Sequence, residues 1–111
     1  MEKEIMTDQV RASHILLMYE GSMRSTATRT KAEAESLMID LKTQIDNGAA
    51  FAELAKENSD CPSSQEGGDL GHFGPGMMVP EFEKATFAME PGQTSDLVET
   101  AFGYHLIQRT E

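Results

Sequence analysis

GGDLGHFGPGMMVPEF, residues 67–82, combines two properties that rarely share a segment. Five of its residues are glycine, yet Leu70, Phe73, Met77, Met78 and Phe82 are large and apolar. Glycine lets a backbone bend tightly and approach a ligand, while aromatic and methionine side chains build adaptable apolar surfaces. The segment reads either as core that helices leave uncovered or as a binding cup for an apolar group. It is no phosphate cradle, because it lacks Gly-Lys-Ser/Thr and does not match G-x-G-x-x-G.

Outward from this stretch the pattern becomes regular. Residues 69–73 are extended. Pro80 suits the first turn of a short helix over 80–88 that buries Phe82, Ala85 and Phe87. Upstream, "VRASHILLMY" (10–19) reads as one β-strand, and 20–30 as a polar loop. Thr30 with Glu33 forms a capping box for a helix reaching Gly48, whose inner face is Ala34, Leu37, Met38, Leu41 and Ile45. A second helix follows at 50–58, with Phe51, Leu54 and Ala55 inward. Downstream, "TSDLVET" and "YHLIQRT" pair as a hairpin around Gly103. The order implies an α+β fold: a small, mostly antiparallel four-stranded sheet surrounded by about four helices.

At 111 residues the chain is long enough for one modest core. The expected organisation is a polar lead over 1–9 and a single domain over 10–111. Nine Lys and Arg stand against 19 Asp and Glu, a net charge of −10 that opposes nucleic-acid binding. No apolar run is long enough to span a membrane, and the charged start has no export-signal pattern. One cysteine, Cys61, excludes an internal disulfide and fits a reducing compartment. A cytoplasmic monomer is therefore expected.

The residues with chemistry to offer are His14 in the first strand, His105 in the last, Cys61 and His72. The first and last strands can be sheet neighbours, which would bring His14 and His105 together. No His/Cys spacing matches a zinc site. Cys61 beside Asp60 with a distant histidine allows a cysteine-hydrolase reading, though nothing in the pattern activates a thiolate.

"ASHIL", "FAELAKENSDCPSS", "GGDLGHFGPGMMVPEFEKATFAM" and "FGYHLIQR", in that order and spacing, resemble the parvulin family of peptidyl-prolyl cis/trans isomerases, the PpiC or rotamase domain family. The resemblance runs from Val10 to Glu111 and implies the β-α3-β-α-β2 arrangement of that family. It implies catalytic roles for His14, Cys61 and His105. It also implies a proline pocket lined by Leu70, Met78 and Phe82, with Phe73 and Phe102 beside them. The substrates would be Xaa-Pro segments of client proteins, with no cofactor and no metal. The same cup could serve a non-catalytic chaperone or docking module that holds proline-containing segments. One parvulin subgroup prefers phospho-Ser/Thr before proline and uses a Lys at the end of the first strand and an Arg pair in the loop. Here those positions resemble Met18 and Met23-Arg24, so Arg24 is the one candidate anion contact, and no strong phosphate requirement is expected.

Overall fold

The computed structural model describes residues 9–23, 25 and 27–111. The expected polar lead falls, apart from Gln9, outside them, as does Arg24. The chain runs β1 (Val10–Leu17), α1 (Lys31–Asp46), α2 (Phe51–Asn58), a 3₁₀ helix (Pro62–Glu66), β2 (Asp69–Phe73), α3 (Pro80–Ala88), β3 (Val98–Thr100) and β4 (Gly103–Arg109). Where about four helices were expected, the described residues form three α-helices and one 3₁₀ turn. The sheet order is β2-β1-β4-β3 and every pair is antiparallel, so the first and last strands lie side by side at its centre.

Both faces of this centre are covered. Ile15, Leu17, Tyr104 and Leu106 share one face and pack on Ala34, Met38 and Leu41 of α1 and on Phe51, Leu54 and Ala55 of α2. Val10, Ala12 and Ile107 project from the other face and pack with Phe73 and with Phe82 of α3. His14 and His105 belong to that second face, because side chains alternate along a strand. Helix α1 begins with the capping box in full: Glu33 N–H donates to Thr30 Oγ1 at 3.1 Å, and Thr30 N–H to Glu33 Oε1 at 2.7 Å.

Strand β1 ends at Leu17 rather than at Tyr19. The cause is local, since the Met18 N–H donates at 2.9 Å to the Asp60 carboxylate instead of to a neighbouring strand. The 3₁₀ turn closes on Gly67, in the left-handed region at φ 69°, followed by Gly68 at φ 88°. The Gly68 carbonyl then accepts the His14 N–H at 2.9 Å, and a Cβ on Gly68 would run into the His14 backbone. This glycine serves a close approach of the chain to its own first strand rather than to a ligand.

Candidate active site

A cleft of about 370 Å³ opens on the α3 side of the sheet. Its floor comes from β1 and β4. His14, Leu16 and Met18 alternate along β1 and its exit, and all three line the cleft with His105. One wall carries Cys61 and Pro62 from the exit of α2. The opposite wall carries Leu70 of β2, then Met77, Met78, Val79 and Phe82. Phe102, in the β3–β4 turn, completes the lining, which holds no acidic or basic side chain besides the imidazoles among the described residues.

The two histidines are sheet diagonals: His14 is paired with Ile107, and His105 with Leu16. Each is only 5% exposed. Their rings stack with centroids 5.2 Å apart, and the two Nδ1 atoms lie 3.1 Å apart, within hydrogen-bond reach. His105 Nε2 lies 2.8 Å from the Thr100 hydroxyl, which also accepts the Phe102 N–H at 3.2 Å. His14 Nε2 is buried with no partner. Phe82 meets both rings edge-on, 5.5 Å from each. Burial pushes His14 from its ordinary 6.5 down to about 4; burial first, then the neighbouring His14, pushes His105 to about 3. Both rings are therefore neutral near pH 7.

Neither imidazole is hydrogen-bonded to Cys61. One nitrogen of each histidine faces the other, the second nitrogen of His105 faces Thr100, and His14 Nε2 has no partner. Activation of a cysteine nucleophile by an adjacent base needs a hydrogen bond between the two, and neither ring makes one to the thiol. Cys61 is a half-buried free thiol whose N–H donates to Ser59 Oγ at 3.4 Å.

Of the residues singled out in the sequence, the structure brings together His14, His105, Cys61, Leu70, Met78, Phe82 and Phe102. Phe73 is a correction. It is 1% exposed, lies in the core against Phe82 and Phe87, and is absent from the cleft wall. Its strand partner is Val10, four residues before His14 on β1, or about 13 Å along an extended strand. His72 is also elsewhere, half-exposed, with Nε2 at 2.7 Å from Glu111 Oε1. Leu16, Pro62 and Val79 were not singled out for the site, while Met77 belonged only to the apolar set of the cup and Met18 only to the strand-end position compared with the phosphate-preferring subgroup. For Leu16 and Met18 the signal was present, since they follow His14 at the two-residue period of a strand. Among the described residues no three His, Cys, Asp or Glu side chains gather into a metal-binding group.

The model of the PPIC-type PPIase domain matches this chain over residues 1–111. The chain belongs to this family. As a PPIC-type PPIase it is a peptidyl-prolyl cis/trans isomerase, and its substrates are proline-containing polypeptides. It is 40% identical to the peptidyl-prolyl cis-trans isomerase Pin1 of Digitalis lanata, over 94% of this chain and 98% of the relative. It is 46% identical to the chaperone SurA of Aromatoleum aromaticum, matching over 91% of its own length but only 22% of SurA. Among solved structures, the peptidyl-prolyl isomerase ESS1 from Candida albicans superposes with a TM-score of 0.86 at 36% identity, covering 95% of this PPIase and 64% of that chain. No helix among the described residues is long and apolar enough to cross a membrane.

Proposed function

We propose that the cleft is where the proline of an Xaa-Pro segment docks, and that the enzyme works by holding the amide in its twisted form. Twisting an amide costs its resonance, a barrier of roughly 18–20 kcal/mol, and no bond need be broken. A catalyst has only to bind the twisted amide better than either planar form. The observation that carries this reading is the composition of the cleft: an apolar lining that ends on two neutral imidazoles. Leu70, Met78 and Phe82 grip the pyrrolidine ring, Phe102 closes over it, and the preceding carbonyl is left to rotate. A dry wall favours the twisted amide, whose charge separation is smaller than the planar one's. Cys61 and the histidine pair act as weak dipoles beside the rotating group. The reading involves no covalent step, metal or cofactor. The lone thiol supports work by a monomer in a reducing compartment such as the cytoplasm; sedimentation and cell fractionation test that part.

Exchange NMR on an Ala-Pro tetrapeptide tests the central claim. Substoichiometric protein should produce cis/trans exchange far faster than the uncatalysed process, which takes tens to hundreds of seconds. A folded Cys61→Ser protein should keep part of this turnover, and complete loss would restore the nucleophile reading. The match to a small part of the chaperone SurA favours one second reading, a docking module that holds proline segments. Peptide binding without exchange would establish it.

A further inference from the structure

Arg29 lines no part of the cleft, yet it holds together two segments that do. Its Nη1, which carries two hydrogens, donates to the Met18 carbonyl at 2.9 Å and to Asp60 Oδ2 at 2.7 Å. The same Asp60 oxygen accepts the Met18 N–H at 2.9 Å. Around this contact the Asp60 N–H donates to the Leu16 carbonyl at 2.7 Å. The Ser59 hydroxyl oxygen accepts the Leu16 N–H at 3.0 Å and the Cys61 N–H at 3.4 Å. Residues 59–61 are thus fastened along the end of β1, and Leu16, Met18 and Cys61 all face the cleft.

We propose that Arg29 is a positioning residue of the isomerase cleft, fixing the Met18–Cys61 wall through Asp60 and cancelling the Asp60 charge at the rim. The proposal rests on the cleft's being the isomerase site. The ion pair is partly open to water, with side chains 29% and 30% exposed. Such a pair adds little to global stability, so its main effect lies in geometry and local charge. Without the guanidinium, the Asp60 carboxylate either turns to solvent and releases the Met18 N–H, or stays as an unpaired negative charge beside the rotating amide. Lysine is a poor substitute, because an ammonium offers a compact charge rather than a planar fork.

The test measures kcat/KM by exchange NMR for Ala-Pro, Lys-Pro and Glu-Pro peptides. Arg29→Gln should lower kcat/KM for Ala-Pro by about tenfold, in line with the cost of a displaced site wall, with little change in Tm. Arg29→Lys should recover part of that loss. The ratio of Lys-Pro to Glu-Pro turnover should rise about fivefold in Arg29→Gln, the effect of one unpaired charge a few ångströms away in water. It should return to the wild-type value in Arg29→Gln with Asp60→Asn, where asparagine keeps an acceptor for Met18 and loses the charge. Asp60→Asn alone should move the ratio the opposite way, toward Glu-Pro, and it carries the test if Arg29→Gln fails to fold. A folded Arg29→Gln protein with wild-type kcat/KM and an unchanged ratio would overturn the proposal, as would an Asp60→Asn protein with an unchanged ratio. Absence of wild-type exchange would count against the isomerase reading instead. In that event the backbone amide ¹H–¹⁵N resonance of Met18 reads the contact directly, since its N–H donates to Asp60: Arg29→Gln should shift it, and an unmoved resonance would sink the idea.

Discussion

His14 and His105 share a face of the sheet and are each only 5% exposed, so charging either ring would strand a buried cation. Burial holds the folded-state values at about 4 and about 3, below the ordinary 6.5. The sign of the linkage follows. Between those values and 6.5 the unfolded chain binds protons that the native one does not, so this contribution to stability is full above about 6.5 and declines as pH falls toward the folded values. Turnover should behave differently. Because both rings stay neutral, kcat/KM for an Ala-Pro peptide should be flat from about pH 8 down through 6.5, where an ordinary imidazole titrates. The expected pair of results is a rate profile level through 6.5 and a Tm that holds above about 6.5 and falls on acidification below it. An inflection in kcat/KM near 6.5 that disappears in His14→Gln would show that a charged ring takes part. The histidines were legible because strand identity and position in the chain sufficed to place them. Phe73 was misplaced because an aromatic in a glycine-rich run looks the same from sequence whether it faces cleft or core. Arg29 carries no local signal, since its partner Asp60 is 31 positions away.

The elements were readable wherever a local signal decides them. The Thr30–Glu33 box, Pro80 at the start of α3 and the apolar faces of α1 and α2 all act within a turn or two of themselves. β3 was less readable, because "TSDLVET" keeps a strand-like composition while the continuous strand is only Val98–Thr100, with Thr94 making an isolated bridge to Gln108. Ser95 explains the shortfall: the Ile107 N–H donates to its hydroxyl at 3.0 Å, so a side chain takes the place of a backbone acceptor there. The connection from the 3₁₀ helix to β2 depends on Gly68, at φ 88° with the His14 backbone in the way of any Cβ. Gly71 has a similar φ of 74° but nothing within 4 Å of its would-be Cβ. The two therefore separate strain from collision. Gly71→Ala should cost about 1–2 kcal/mol, the ordinary penalty of a left-handed backbone. Gly68→Ala should cost roughly 3 kcal/mol or more and should also lower turnover, because relieving the clash moves His14. Urea denaturation of both variants measures this, and equal losses would show that the Gly68 contact relaxes without consequence.

At the scale of the whole molecule, the fold joins positions 91 residues apart into one imidazole pair, and the chain carries a net charge of −10. That charge bears on the residue before proline. A phosphate brings about −1.5 to −2 charges at neutral pH and requires clustered cations to offset its desolvation. At the end of β1, where the resemblance to the phosphate-preferring subgroup would place a lysine, Met18 lines the cleft instead. Met23, at the first position of the expected arginine pair, is 51% exposed and apolar. Arg29 is nearby but already divided between the Asp60 carboxylate and the Met18 carbonyl. A phosphate there would meet Asp60 as a competitor of the same sign. Arg24 is left as the sequence's own candidate, and one arginine contributes about 0.5–1 kcal/mol to a solvated ionic contact. Peptides with pSer-Pro and Ala-Pro should therefore be turned over with kcat/KM values within roughly tenfold, about 1.4 kcal/mol. Raising the salt should narrow whatever gap exists, since the repulsion from the net negative charge is screened. A hundredfold preference for pSer-Pro that vanishes in Arg24→Ala would reverse this conclusion and make Arg24 the centre of a phosphate subsite.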